Sequence, residues 1–212
     1  MSTVRSPFHK VVCRSGESLV APRERFGYLQ RAGRIRYFGS STFPAYRIVQ
    51  SQWVAREHRL GRYVTERPGY SILQRGIESH VLPAPEEYGL GVLAWSPLAS
   101  GWLSGVVREG QEITTNRSTF MQPRFDLTVP ANRAKLDAVE QLARLAVDAG
   151  LTMIQLALGF VTAHRAVTAA IIGPRTLEHL DSQLAAADTI LSPEVLDAID
   201  EIVPPWGRSR PS

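Results

Sequence analysis

The amino-acid sequence predicts an α/β protein built on a parallel sheet, and three observations carry that expectation. Short apolar runs alternate with longer stretches of helical period four times in succession. No two of the apolar runs lie close enough to be joined by a hairpin, so each connection must be a crossover. Gly33, Gly89 and Gly150, with the hydroxyl caps Thr152 and Ser192, stand where one pattern gives way to the next.

Taken in order, residues 35–40 are the first predicted strand, after the Ala32-Gly33 break, and residues 44–60 a helix with proline at its first turn. Residues 63–66 are the second strand, 76–88 a helix closed by Gly89, and 91–95 the third strand. Residues 104–130, broken by Gly105, Gly110, Pro123 and Pro130, make a long loop of the kind that serves as a lid or binding element. Over 132–149 the apolar residues Leu136, Val139, Leu142, Leu145 and Ala146 share one helical face. Thr152 caps a helix reaching His164, 167–172 is the fourth strand, 176–191 a helix, and a last short helix starts at Ser192-Pro193-Glu194. Four strand-then-helix units make half of an eight-stranded barrel.

Charge narrows the function classes. Residues 1–36 hold eight basic against two acidic residues, whereas residues 37–212 hold sixteen against eighteen. The high pI therefore belongs to the amino-terminal stretch, of which residues 1–27 read as an irregular basic arm, expected to be disordered, and 28–212 as the folded domain. With no aromatic platform interleaved, nucleic acid is not an expected partner. The most apolar stretch, 151–172, is interrupted by Gln155, His164 and Arg165, so no membrane span is expected. One cysteine, Cys13, allows neither an intramolecular disulfide nor a zinc cluster and fits a reducing cytoplasm. His58, His80 and His164 fall on helix ends or faces, and Ser96 and Ser100 lack a nucleophile elbow, so hydrolase chemistry has little support.

The run Leu93-Ala94-Trp95-Ser96-Pro97-Leu98-Ala99-Ser100-Gly101 carries the most chemistry. It ends an apolar strand in a Ser-Pro turn of small residues, which is expected to leave backbone N–H groups unpaired for a phosphate. Trp95 offers a flat face to a planar ring. The segments Gly33-Arg34-Ile35-Arg36-Tyr37-Phe38-Gly39, Tyr70-Ser71-Ile72-Leu73, Ile171-Ile172-Gly173-Pro174-Arg175-Thr176 and Leu191-Ser192-Pro193-Glu194 lie on either side of it. In that order they resemble the carboxy-terminal half of the aldo-keto reductases, in the branch that includes potassium-channel beta subunits. The resemblance implies a partial (β/α)8 TIM barrel of about four carboxy-terminal βα units. It also implies NADP(H) at the carboxyl ends of the strands and a small-molecule carbonyl substrate reduced by hydride transfer.

The resemblance assigns roles residue by residue. Ser41-Thr42 stands where the family holds the nicotinamide carboxamide with a Ser-Asn pair. Arg67 stands where a second carboxamide ligand is usually Gln; a guanidinium only donates, and it places a cation beside a ring that must become positive. Trp95 supplies the stacking face, and Ser96, Leu98 and Gly101 the pyrophosphate turn, with Val106 in place of a basic residue. Arg117 corresponds to a loop arginine on the adenosine phosphates, and Gly173 and Arg175 open a helix toward the 2′-phosphate. His179, Ser182 and Gln183 replace the usual Gln, Glu and Asn around the adenine, so the expected binding is weak.

The family's catalytic Asp, Tyr, Lys and His belong to its first four strands, and no residue of this sequence stands in those contexts; Tyr28, Tyr37 and Lys10 match by type alone. The chain reads as the cofactor half of an NADP-dependent reductase, truncated and inactive alone. The alternatives are a non-catalytic nucleotide-binding or self-associating half-barrel, and a remnant of a truncated gene. Such a half-barrel leaves edge strands at 35–40 and 167–172 and bare interior side chains, so a homodimer or other self-association through the open edges is expected.

Overall fold

A computed structural model of the chain describes residues 19–111 and 122–205. The elements are α1 (Val20–Arg31), β1 (Ser40–Ser41), α2 (Ala45–Glu57), β2 (Thr65–Arg67), α3 (Pro83–Tyr88), β3 (Gly91–Trp95), α4 (Pro130–Asp148), α5 (Met153–Ala163), β4 (Ala169–Ile171), α6 (Leu177–Leu184) and α7 (Pro193–Ile202). Two short 3-10 turns, Ala99–Gly101 and Gln122–Arg124, lie between β3 and α4. The strands form one parallel sheet in the order β1-β2-β3-β4, with Ser41 opposite Arg67, Glu66 opposite Val92 and Trp95 opposite Ile171. Sequential parallel strands with helical crossovers are what the alternation predicts, and they make a partial β/α barrel.

Periodicity explains the largest core cluster. On α4, Leu136, Val139, Leu142 and Ala146 are buried and meet Val92 and Ala94 of β3, Leu156 of α5 and Ile199 of α7. Each buried leucine, isoleucine or valine among them contributes about 1.5–3 kcal/mol. The intervening β3 residues Gly91, Leu93 and Trp95 are only half-buried, so the opposite face of the sheet stands partly open. A capping box starts α5: the Gln155 N–H donates to Thr152 Oγ1 at 3.2 Å, and the Thr152 N–H to Gln155 Oε1 at 2.9 Å. Buried Arg75 ties the loop after β2 to α7, donating to Glu78 at 2.9 Å and to Asp200 and the Val203 carbonyl at 2.7 Å each. Tyr70 joins this network by donating to Glu78 at 2.7 Å, and burial together with that carboxylate pushes its phenol pKa up.

The structure corrects several boundaries. The expected irregular arm over 1–27 includes the start of a helix, since α1 begins at Val20. Tertiary contacts hold it: Leu19 is buried, Phe26 stacks on Phe38 at 4.9 Å, and the Arg23 guanidinium lies 4.4 Å from the Tyr63 ring. The first strand is Ser40–Ser41 rather than 35–40, and at Gly39 the backbone comes so close to Thr65 that a Cβ would collide with its hydroxyl and carbonyl oxygens. The helix expected over 76–88 is confined to Pro83–Tyr88, where proline at N1 sets the start and left-handed Gly89 the end. The helix expected over 176–191 stops at Leu184. Part of the 104–130 loop lies outside the described residues, as does Cys13. No single helix among the described residues is long and apolar enough to cross a membrane.

Candidate functional site

Because the four strands are parallel and adjacent, their carboxyl ends share one edge, and that edge collects most of the residues nominated from sequence. Five non-glycine residues among the described ones have left-handed backbone: Thr42, Arg59, Ser96, Ala99 and Ser100, at φ 61, 51, 60, 49 and 63°. All but Arg59 follow the ends of β1 or β3. Such residues cost about 1–3 kcal/mol each and persist where surrounding structure over-determines them.

At the β1–β2 end the structure brings Ser41, Thr42 and Arg67 together, but binds them to one another. The Ser41 hydroxyl donates to the Arg67 carbonyl and accepts from Arg67 Nε–H, each at 3.3 Å. The Thr42 N–H donates to the same carbonyl at 3.2 Å. A carboxamide arriving here would have to part the Ser41–Arg67 pair.

Beneath this pair lies a group that sequence reading missed. Glu66 is fully buried, accepts from the Ser40 hydroxyl, and accepts from the Phe43 N–H at 3.1 Å. Burial raises its pKa, opposed by the Ser40 hydroxyl and the backbone N–H groups of Phe43, Thr42 and Arg67. A charged residue in a short strand carried no visible sign of burial; the available signal was a serine on the strand before it, at the register partner.

At β3, Trp95 packs its indole on the Gly69 backbone, where a Cβ would come 3.1 Å from Cζ2 and 3.2 Å from Cε2. The indole N–H is buried and has no hydrogen-bond partner among the described residues. The expected unpaired turn is corrected over much of its length. The N–H groups of Ala99, Gly101, Trp102 and Leu103 donate to turn carbonyls, and that of Ser100 to Ser96 Oγ at 3.1 Å. The small residues are used to fold the turn tightly upon itself, and Leu98 packs against the core.

The β4 end is open by contrast. A Cβ on Gly173 would meet nothing within 4 Å, and Arg175 and His179 are exposed. Thr176 caps α6 by accepting the His179 N–H at 3.1 Å, and Glu178 adds an acid to the first turn, which leaves Arg175 as the principal attraction for an anion there. Gln183 differs from its neighbours in being buried, only 9% exposed. Arg117 lies outside the described residues. Among the described residues no group of His, Cys, Asp and Glu could hold a metal ion.

Comparison with known proteins fits this geometry. The profile of the aldo/keto reductase family matches residues 26–204. An uncharacterized oxidoreductase of Bacillus subtilis is 37% identical, over 89% of this chain and 55% of its own length. A Schizosaccharomyces pombe protein named as a voltage-gated potassium channel subunit beta is 33% identical, over 84% of this chain and 53% of its own. An Oryza sativa protein of the same description is 32% identical, over 81% and 53%. The chain thus spans about half the length of the curated relatives it matches. With its parallel β/α units, its matched profile and these relatives, the chain belongs to the aldo/keto reductase family, in the branch of the potassium-channel beta subunits.

Proposed function

We propose that this chain is the cofactor-binding half of an NADP-dependent oxidoreductase, holding the dinucleotide along the carboxyl edge of its sheet. One observation carries the reading: the buried Trp95 indole N–H, which has no hydrogen-bond partner among the described residues, set between the two ends of that edge. A buried donor left unmade costs about 1–3 kcal/mol, and a ligand acceptor would recover it. Ser41, Thr42 and Arg67 would meet the carboxamide, Trp95 the ring, and Gly173, Arg175, His179 and Gln183 the adenosine end. At the Ser96–Leu98–Gly101 turn, where the N–H groups of Ala99, Ser100 and Gly101 close on the turn itself, the pyrophosphate would meet the Leu98 N–H. The bound group would supply hydride to a carbonyl. These residues would bind and orient it, and none of them stands in the contexts of the family's catalytic Asp, Tyr, Lys and His, so the chain alone is expected not to reduce carbonyls.

NADPH fluorescence titration tests the binding. Arg175→Ala should weaken affinity by about tenfold, the loss of one charge-assisted contact. Arg67→Gln should tighten it, since the amide both donates and accepts and releases Ser41. An unchanged affinity in Arg175→Ala overturns the assignment of the phosphate end. Turnover near about 1 s⁻¹ with a panel of aldehydes, within the ordinary enzyme range, overturns the inactivity.

A second proposal concerns assembly in a reducing cytoplasm. β4 is wholly apolar, yet Ala169 and Ile171 are exposed, and β1 and β4 are the outermost strands of the sheet. Apolar parallel strands are ordinarily covered on both faces, and this favours self-association through the sheet edges. Light scattering after size exclusion should read a mass above the 23.4 kDa of one chain. A monodisperse single chain would overturn it.

A further inference from the structure

We propose that Glu66 is the positioning residue of the candidate cofactor site: its buried carboxylate fastens the β1–α2 turn on both sides of Ser41-Thr42 and fixes their backbone for the carboxamide. The inference rests on the cofactor reading above. The two carboxylate oxygens face two different donors: the Ser40 hydroxyl, just before the pair, reaches Oε2, and the Phe43 N–H, just after it, reaches Oε1 at 3.1 Å. Between these anchors Thr42 is held at φ 61°, a left-handed conformation that a β-branched residue keeps only when its surroundings hold it there. The next tie also comes from β2, where the Thr42 N–H donates to the Arg67 carbonyl.

Stability alone does not account for a carboxylate here. Glu66 is 0% exposed, and its partners are a hydroxyl and backbone N–H groups, none of them cationic. A buried carboxylate without a cation is costly, and an apolar side chain of similar volume would ordinarily serve packing better. What the carboxylate supplies, and an apolar or amide group does not, is two acceptors at once. Glutamine would turn its NH2 group toward Ser40, whose hydroxyl would have to reverse and accept, and would leave the Phe43 N–H a neutral acceptor in place of a charged one.

The test separates the two ends of the dinucleotide. NADPH and adenosine 2′,5′-bisphosphate, which lacks the nicotinamide end, are titrated against the full chain and against Glu66→Gln. Expected is a weakening of about tenfold for NADPH, from the exchange of charge-assisted hydrogen bonds for neutral ones, with the bisphosphate unchanged. Ser40→Ala removes one donor from the same carboxylate and should give a smaller loss of the same selectivity, which keeps the test open should the Gln variant fail to fold. Equal weakening of both ligands means a merely structural role and overturns the proposal. So does unchanged NADPH affinity while the full chain binds both ligands. If the full chain binds neither, the cofactor reading itself falls and takes this proposal with it.

Discussion

At the β1–β2 end of the sheet, Ser41 is tied to Arg67, Thr42 to the Arg67 carbonyl, and the turn that carries them to buried Glu66. At the β4–α6 end, Gly173 has open space around its Cα, Arg175 is exposed, and the strand leading to them is exposed along two of its three residues. The same edge of one sheet is thus braced at one end and open at the other. The difference has a cause in packing. Phe38, Phe43, Ile48 and Tyr63 bury one another around β1, with α1 and α2 supplying cover. α6 buries only Gln183 and presents Leu177 and Leu184 to solvent at 78% and 54% exposure. A ligand at the first end must displace internal bonds, whereas one at the second must supply order.

The largest effect that would break this comparison comes from truncating one isoleucine at each end. Ile48 on α2 is 0% exposed, so Ile48→Ala should lower unfolding free energy by about 2–5 kcal/mol. Ile171 on β4 is 38% exposed, and Ile171→Ala should cost less than about 1 kcal/mol when measured at low protein concentration. Urea denaturation monitored by tryptophan fluorescence gives both. Similar costs would show that β4 is as well packed as α2.

The braced end was also the harder one to read from sequence. Alternating periods gave the parallel order, and the α4 stripe was legible because every fourth or third residue is apolar. Trp95 and Arg175 were legible because a strand-end tryptophan and a helix-start arginine announce themselves by position. Glu66 was not, since its burial follows from two donors, one on β1 and one in the turn after it, which no local pattern encodes. Likewise α1 contains Pro22 and Gly27 and forms because Phe38 and Tyr63 receive it. The Ser-Pro turn read as an open phosphate cradle because its composition is that of one; its N–H groups instead close on its own carbonyls, an outcome set by three left-handed residues that composition does not reveal.

A smaller, pH-dependent effect sharpens the comparison. His164 follows α5 and leads into β4; its Nδ1 accepts the Ala166 N–H at 3.2 Å, and its ring meets Tyr70 edge-on at 6.1 Å. Burial lowers its pKa below the ordinary 6.5; Glu78 and Glu86 pull it up, while Arg165 and Arg75 push it down. The unfolded chain therefore takes the proton first. Stability should fall as pH drops below about 6.5 and level off once the folded imidazole protonates as well. Protonation also removes the acceptor for Ala166, so hydrogen exchange at low pH should rise across 166–171 before it rises across 40–43. His164→Asn should flatten the dependence of melting temperature on pH in that window. A slope unchanged in the variant would place the titration elsewhere.

The smallest effect concerns two helix caps of the same chemistry in unlike surroundings. Thr176 caps α6 by accepting the His179 N–H at 3.1 Å, and Thr152 caps α5 by accepting the Gln155 N–H at 3.2 Å. Replacing either by alanine costs its helix about 1 kcal/mol. In α5 that loss is passed on, because Leu156, Phe160 and Val161 are buried in the main core and the helix cannot open alone. Thr152→Ala should accordingly move the urea midpoint by the full amount. In α6, eight residues long with one buried side chain, the same loss should be taken up by local opening. Thr176→Ala should then leave the midpoint nearly fixed while amide exchange across 177–184 quickens about fivefold, the factor that 1 kcal/mol corresponds to. Equal midpoint shifts in the two variants would mean that α6 is cooperative with the core, and that the end of the sheet bearing Arg175 is braced after all.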